Sequence, residues 1–320
     1  LSWRTDPLLS GISELRAIDW GANLSNGLPI LLLGWPAVAL WRWRRRGPDP
    51  FELGCCGCFT VLALAGTRFV ATYAMVAAPF CARGLDDLAR ARRWPARLGG
   101  PWRVALLCAA LCVAVGLYEW TNFEDRLGVR VDDRRYPVAA CDFMTAQGVR
   151  GRGINDFYLG GYMLWRFWPD RTRLPFFDIH PEDKSPGERL AYLLAFSSPQ
   201  GWERLDGRYH FDYALLSRSH AGHYGLLDLL DGLPGWALVF VDDAAALYVR
   251  RDGPLARLAA AQGYRLLPGG ETRFPQLEAA CAGDPALAAQ LRAELARQAR
   301  GSPRSASFAP LRAACAPARP

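Results

Sequence analysis

The chain reads as two halves with different patterning. Up to about residue 120 apolar positions run on without helical or strand periodicity. Beyond it, short apolar stretches alternate with turns at spacings that suit helices and strands. Trp20 to Trp41 carries 22 residues without a charge and ends in Trp41-Arg42-Trp43-Arg44-Arg45-Arg46. About 20 apolar residues span a hydrocarbon core of roughly 30 Å, and an aromatic edge followed by Arg marks its inner face. The pattern predicts a membrane helix over 20–43; the alternative, a buried helix of a soluble protein, does not account for the abrupt arginine cluster. Leu53 to Ala82 is a second apolar run, broken only by Arg68, with Arg83, Arg90, Arg92, Arg93 and Arg97 behind it. Basic loops on both sides require it to enter and return, so 53–82 is expected to be a short hairpin with Arg68 at its outer tip. A third span is expected over 103–120, between Trp102 and Trp120.

After Asn122 the pattern predicts a helix over 136–147, a turn and short strand over 151–156, and an aromatic helix over 162–168 stopped by Pro169. Strands are expected at 174–179, 212–217, 236–241 and 244–250, the last two joined by Asp242-Asp243 as a hairpin. Helices are expected at 188–196, 224–230, 255–262, 274–282 and 285–300. The fold class that results is a membrane all-α region followed by a small extracytoplasmic α/β domain with a mixed sheet and C-terminal helices. Its boundaries are 1–120, 121–268, 269–300, and a disordered tail over 301–320, which is rich in Ser, Pro, Ala and Arg.

Composition changes this picture little. Hydrophobic residues make up 51% of the 320 positions, which excludes a collagen-like or wholly disordered chain. Nine cysteines are too sparse for a disulfide scaffold. The net charge of +7 sits mostly in the two loops assigned to the inner face, so it reads as a topology signal and not as a nucleic-acid footprint. Lys184 is the only lysine, which with the abundant Ala and Gly points to a GC-rich, bacterial genome. The expected location is the bacterial inner membrane, multi-pass, with the C-terminal domain outside. The chain begins at Leu1 and has no Met before Met75, so it reads as a fragment or as a sequence lacking its true start.

Candidate chemistry is thin. Arg68, an ionisable group inside an apolar run, is a candidate for holding a lipid phosphate by paired hydrogen bonds, or else snorkels to headgroups. Asn155-Asp156 followed by Gly160-Gly161 lies at a strand end leading into a helix start, where anions bind; a tight turn allowing close packing is the plainer reading. Asp178 and His180 complete this possible outer site. His220 and His223, three apart, would give two metal ligands from one helical face, but Gly222 between them weakens the pairing. No cofactor is predicted, and no metal site is assigned. Cys55, Cys56, Cys58, Cys108 and Cys112 read as packing residues, while Cys141, Cys281 and Cys315 allow one disulfide whose pair the spacing does not choose.

The run "LALAGTRFVATYAMVAAPFCARGL" within the helix, Arg-rich loop, hairpin, helix order resembles the C-terminal part of bacterial GT-C-type membrane proteins. These belong to the protein O-mannosyltransferase and aminoarabinose transferase superfamily. "YPVAACDFMTAQGVRGRGINDFYLGGYMLWRFWPDRTRLPFFDIHPED" and "WALVFVDDAAALYVRR" are similar to their outer domain. Matching positions include Pro137, Ala140, Gly148, Gly151, Asn155, Gly160, Gly161, Tyr162, Trp165, Pro169 and Asp178. Where family members commonly run Asp-Gly-Arg, this chain has Asp178-Ile179-His180. The resemblance implies sugar transfer from a polyprenyl-phosphate donor, with membrane lipids as further partners and Arg68 as a donor-phosphate contact. The family's catalytic carboxylate lies in a first outer loop that this chain does not contain, so the resemblance names no catalytic residue here. The alternative is a non-catalytic, membrane-anchored protein presenting a binding or assembly domain.

Overall fold

The computed structural model describes residue 8 and residues 16–24, 28–91, 101–122, 131–218 and 224–316. The chain divides into two units, Leu1–Val129 and Arg130–Pro320, taken here separately.

The first unit is helical. After a single turn at Trp20–Asn23 come α1 (Leu28–Arg46), α2 (Pro50–Ala65), α3 (Phe69–Ala91) and α4 (Pro101–Asn122). Asp49 caps α2 by accepting from the amides of Phe51 and Glu52, and Pro50 takes the first helical position, where no amide donor is needed. Helix α1 closes on α3 because Gly84 has no side chain: a Cβ there would lie 2.2 Å from Val38 Cγ1. Leu32, Trp35, Ala39, Cys56, Ala63, Tyr73 and Ala77 form the core between α1, α2 and α3. The Tyr73 hydroxyl donates to the Leu32 carbonyl at 2.9 Å.

This unit corrects the membrane reading. Among the described residues no helix is long and apolar enough to cross a membrane. Helix α1 holds Pro36 and gives its last turn to Arg44, Arg45 and Arg46. Helix α2 has only 16 residues and includes Glu52. Helix α3 is longer, but its second half carries Arg83, Asp86, Asp87 and Arg90. The apolar run over 53–82 is thus divided between two helices at Gly66–Arg68, and polar side chains enter each helix before a hydrocarbon thickness is reached. The run expected as a third span lies within α4, but its uncharged stretch, 104–118 between Arg103 and Glu119, is shorter than a hydrocarbon thickness. Large apolar side chains nevertheless stay exposed on this unit, among them Ile30, Phe51, Val61, Met75, Leu111 and Leu117.

The second unit is an α/β layer domain. Its elements are α5 (Val138–Ala146), β1 (Gly153–Asn155), α6 (Phe157–Phe167), α7 (Pro186–Ser197), α8 (Pro199–Tyr209), β2 (Tyr213–Ser217) and α9 (Tyr224–Gly232). They are followed by β3 (Trp236–Val241), β4 (Ala245–Arg250), α10 (Ala256–Gln262), α11 (Phe274–Gly283), α12 (Pro285–Gly301) and α13 (Ala309–Ala314). The sheet order is β1-β2-β4-β3. Strand β1 is parallel to β2, and the other pairs are antiparallel, with a register shift between Leu238 and Phe240. Strand β2 is buried at all five positions, so it reads as a continuous apolar run and not as an alternation. Tyr213, Leu215, Leu247 and Val249 pack with Met144, Leu159 and Met163 from the helices.

Three local expectations differ from the structure. Residues 174–179 form no strand; the Asn155 side chain occupies the backbone groups of Phe176 and Phe177 instead. Helix α8 is an additional element that the apolar pattern does not mark; Ser198 caps it by accepting from the Gly201 amide, and Pro199 opens it. The segment 301–316 is not a disordered tail. Asp243 on the β3–β4 turn accepts from Ser305 Oγ at 2.6 Å, Ser307 Oγ at 2.6 Å and the Ala306 amide at 2.7 Å. Helix α13 then ends in a disulfide between Cys315 and Cys281 of α11.

Candidate functional site

The structure brings the glycine-rich outer residues together, and their bonding explains why. Asn155 is fully buried at the end of β1. Its Nδ2 donates to the carbonyls of Phe177 at 2.6 Å and Asp156 at 2.8 Å. Its Oδ1 accepts from the amides of Phe176 at 2.7 Å and Phe177 at 3.2 Å. One side-chain amide thereby replaces a ladder neighbour for residues 176 and 177. Asp156 caps α6 through the Tyr158 amide at 3.0 Å, so the helix start carries its own carboxylate where an external anion would sit. Gly160 lets the following loop touch the helix: a Cβ there would meet the Phe177 carbonyl oxygen at 2.1 Å. Gly161 packs against the Ile179 side chain, whose Cγ2 a Cβ there would meet at 3.3 Å. Asp178 accepts from the His180 amide at 2.8 Å, and the His180 ring is exposed. Tyr192 closes the junction by donating to the Asn155 carbonyl and accepting from the Phe157 amide.

Arg68 lies in the break between α2 and α3, with its guanidinium 6.0 Å from the Phe69 ring centre. His220 and His223 lie outside the described residues. Among the described residues no group of three or more His, Cys, Asp or Glu is placed to hold a metal ion.

A second polar centre, which sequence reasoning missed, surrounds Arg218. Its buried guanidinium follows β2 and donates to the carbonyls of Gly269 and Asp242, to Ser307 Oγ and to Glu271 Oε1. It also lies 4.6 Å from the Phe308 ring centre. Burial pulls its pKa below the ordinary arginine value, against the pull of Glu271, Asp243 and Asp242. Asp242 is buried beside it. Burial raises its carboxyl to about 6, although its Oδ1 accepts from the amides of Ala244 and Ala245. Asp243, held by the serines of 305–307, falls to about 2 in spite of its own partial burial.

A cleft of about 390 Å³ lies between the end of α9 and the segment 264–273. Its wall is clamped by two carboxylates. Glu294 of α12 accepts from the amides of Arg265, Leu266 and Leu267 at 2.8, 3.0 and 2.8 Å. Asp231 accepts from the amides of Gly269 and Gly270 at 2.9 and 3.0 Å, and from the Tyr248 hydroxyl at 2.7 Å. Burial raises the pKa of Asp231 even though these donors and Arg273 favour its charged form. Arg251, just past β4, lines the same cleft together with Arg265 and Arg273 of the segment 264–273. Arg251 Nε donates to the Trp236 carbonyl at 2.9 Å. Among the described residues none of these three arginines forms an ion pair with a carboxylate. No protein-family model matches the chain, and no curated protein matches its sequence. Nothing in those comparisons bears on the glycosyltransferase resemblance. No motif spacing links residues 251, 265 and 273, so only the fold reveals the cleft.

Proposed function

We propose that the Arg130–Pro320 unit is a non-catalytic binding module that takes a phosphate-bearing ligand in the cleft between α9 and residues 264–273. The observation that carries this reading is that Arg251, Arg265 and Arg273 line one concave surface and, among the described residues, form no ion pair, although Arg273 lies close enough to Asp231 to favour its charged form. Guanidinium groups match phosphate geometry by paired hydrogen bonds, and a wall held by Asp231 and Glu294 loses little freedom on binding. The acids of the cleft are engaged in holding backbone amides, which favours binding over proton transfer. A polyprenyl-phosphate sugar donor, the ligand implied by the GT-C resemblance, shares the phosphate but adds an apolar chain.

Calorimetric titration of the full chain at low ionic strength tests this with inorganic phosphate, pyrophosphate and farnesyl phosphate. The Arg265→Gln/Arg273→Gln variant is expected to weaken binding at least tenfold, about 1.4 kcal/mol, and added salt is expected to weaken the wild type. Binding of farnesyl phosphate alone would shift the reading toward a lipid-linked donor. Binding of any of the three that is insensitive to both arginines would refute the site.

A further inference from the structure

Helix α6 buries one face and leaves the other aromatic and open. Tyr158 and Trp165, two helical turns apart, are 40% and 69% exposed. Trp168, just past the helix end, is 67% exposed, and Ile179, lying on Gly161, is 58% exposed. Tyr136 extends the patch, 43% exposed, with its ring 5.9 Å from that of Tyr162, which in turn lies 5.4 Å from Trp165. Single exposed apolar residues need no explanation, but contiguous aromatic patches with charged rims mark interaction surfaces.

We infer that this face packs against the same face of a second copy, related by a two-fold axis crossing α6 near Gly161 and Trp165. Two features of the patch point to a copy of itself. The rim carries both charge signs in pairs: Arg166 with Asp142 at 3.2 Å, and Arg150 with Asp170 at 3.9 Å. A two-fold interface is self-complementary, so each arginine can meet the other copy's aspartate while its own remains near. The area is also sufficient. With about 150–250 Å² for each large aromatic side chain, the five exposed groups offer roughly 600 Å² per copy. That is about 1,200 Å² for the pair, at the foot of the range for specific interfaces. Tyr158 and Trp165, seven residues apart, stand on one line along the helix, the repeat by which two helices interdigitate.

Sedimentation velocity of the full chain across concentration, together with photocrosslinking, tests the proposal. The wild type is expected to pass from one copy to two, and Trp165→Glu/Trp168→Glu is expected to raise the midpoint concentration at least tenfold with an unchanged circular dichroism spectrum. Because unit 1 also exposes apolar side chains, a benzoylphenylalanine at position 165 supplies the second readout. It is expected to give a product of twice the chain mass, cross-linked within residues 136–179 of the other copy. Association unaffected by the double variant would overturn the proposal, as would a probe at 165 that yields no inter-copy product.

Discussion

Asp242 offers a prediction whose size follows from its surroundings. The carboxyl sits at the end of β3 in the buried end of the sheet, and burial lifts its pKa from 3.8 to about 6. A folded-state pKa above the unfolded one means that the folded chain binds this proton more tightly. Asp242 therefore costs no stability below about pH 4. Its cost grows as pH rises and is complete above about pH 6, reaching about 3 kcal/mol for a shift of roughly two units. Asp242→Asn removes the titration but keeps the carbonyl oxygen that accepts from Ala244 at 2.9 Å and Ala245 at 2.7 Å. Burying the new amide group carries its own cost, which is the same at every pH. The informative quantity is thus the change in the variant's stability relative to wild type between pH 4 and pH 8, expected to favour the variant by about 3 kcal/mol at the higher pH. Urea titration read by hydrogen exchange of the β4 amides, corrected for intrinsic exchange rates, isolates the second unit. A stability difference independent of pH over this range would refute the argument.

Two further expectations concern the latches. Asn155→Asp exchanges the donating Nδ2 for an acceptor facing the carbonyls of Phe177 and Asp156, and should destabilise the second unit by at least about 2 kcal/mol in the same exchange assay. In the first unit Glu52 is buried and accepts from Arg42 at 2.5 Å, Arg83 at 3.1 Å and Trp35 Nε1 at 3.1 Å. Glu52→Gln leaves the buried Arg42 guanidinium only the Asp49 carboxylate, 3.8 Å away, and should cost about 3 kcal/mol. Exchange protection of α1 and α2 peptides would report it, and unchanged protection would show that the pair is dispensable.

Much of the second unit is legible in its sequence. The two strands around Asp242-Asp243 are marked by apolar runs with a polar turn between them, and α12 by leucines four apart. The misread parts share a cause: a distant side chain fills a role that the local pattern assigns elsewhere. The apolar residues 174–179 look like a strand, yet the amides of Phe176 and Phe177 at their centre are taken by Asn155, some 20 residues upstream. The start of α6 lies at Phe157 because Asp156 caps it, whereas Gly160-Gly161 in its second turn serve the contact with residues 177–179. In the first unit, uninterrupted hydrophobicity suggests a membrane thickness, but the helix breaks and the Arg42–Glu52–Arg83 cluster depend on pairing between α1, α2 and α3. The arginines of the cleft are invisible for the same reason. Each is an ordinary surface arginine until residues 231–236, 251 and 264–273 are folded together.

The hydrogen bonds of Arg218 span 24, 51, 53 and 89 residues, to Asp242, Gly269, Glu271 and Ser307 in turn. During synthesis this guanidinium emerges well before the last of its acceptors, and strand β2 cannot bury it at low cost until they arrive. The second unit is therefore expected to complete its fold late, after Ser307 has left the ribosome, even though its sheet is finished at Arg250. A ribosome-bound chain arrested at Gly301 would hold the whole sheet but lack Ser307, Phe308 and the serines around Asp243. Such a chain should remain open to protease at Arg218, and the full chain carried clear of the exit tunnel on a C-terminal linker should not.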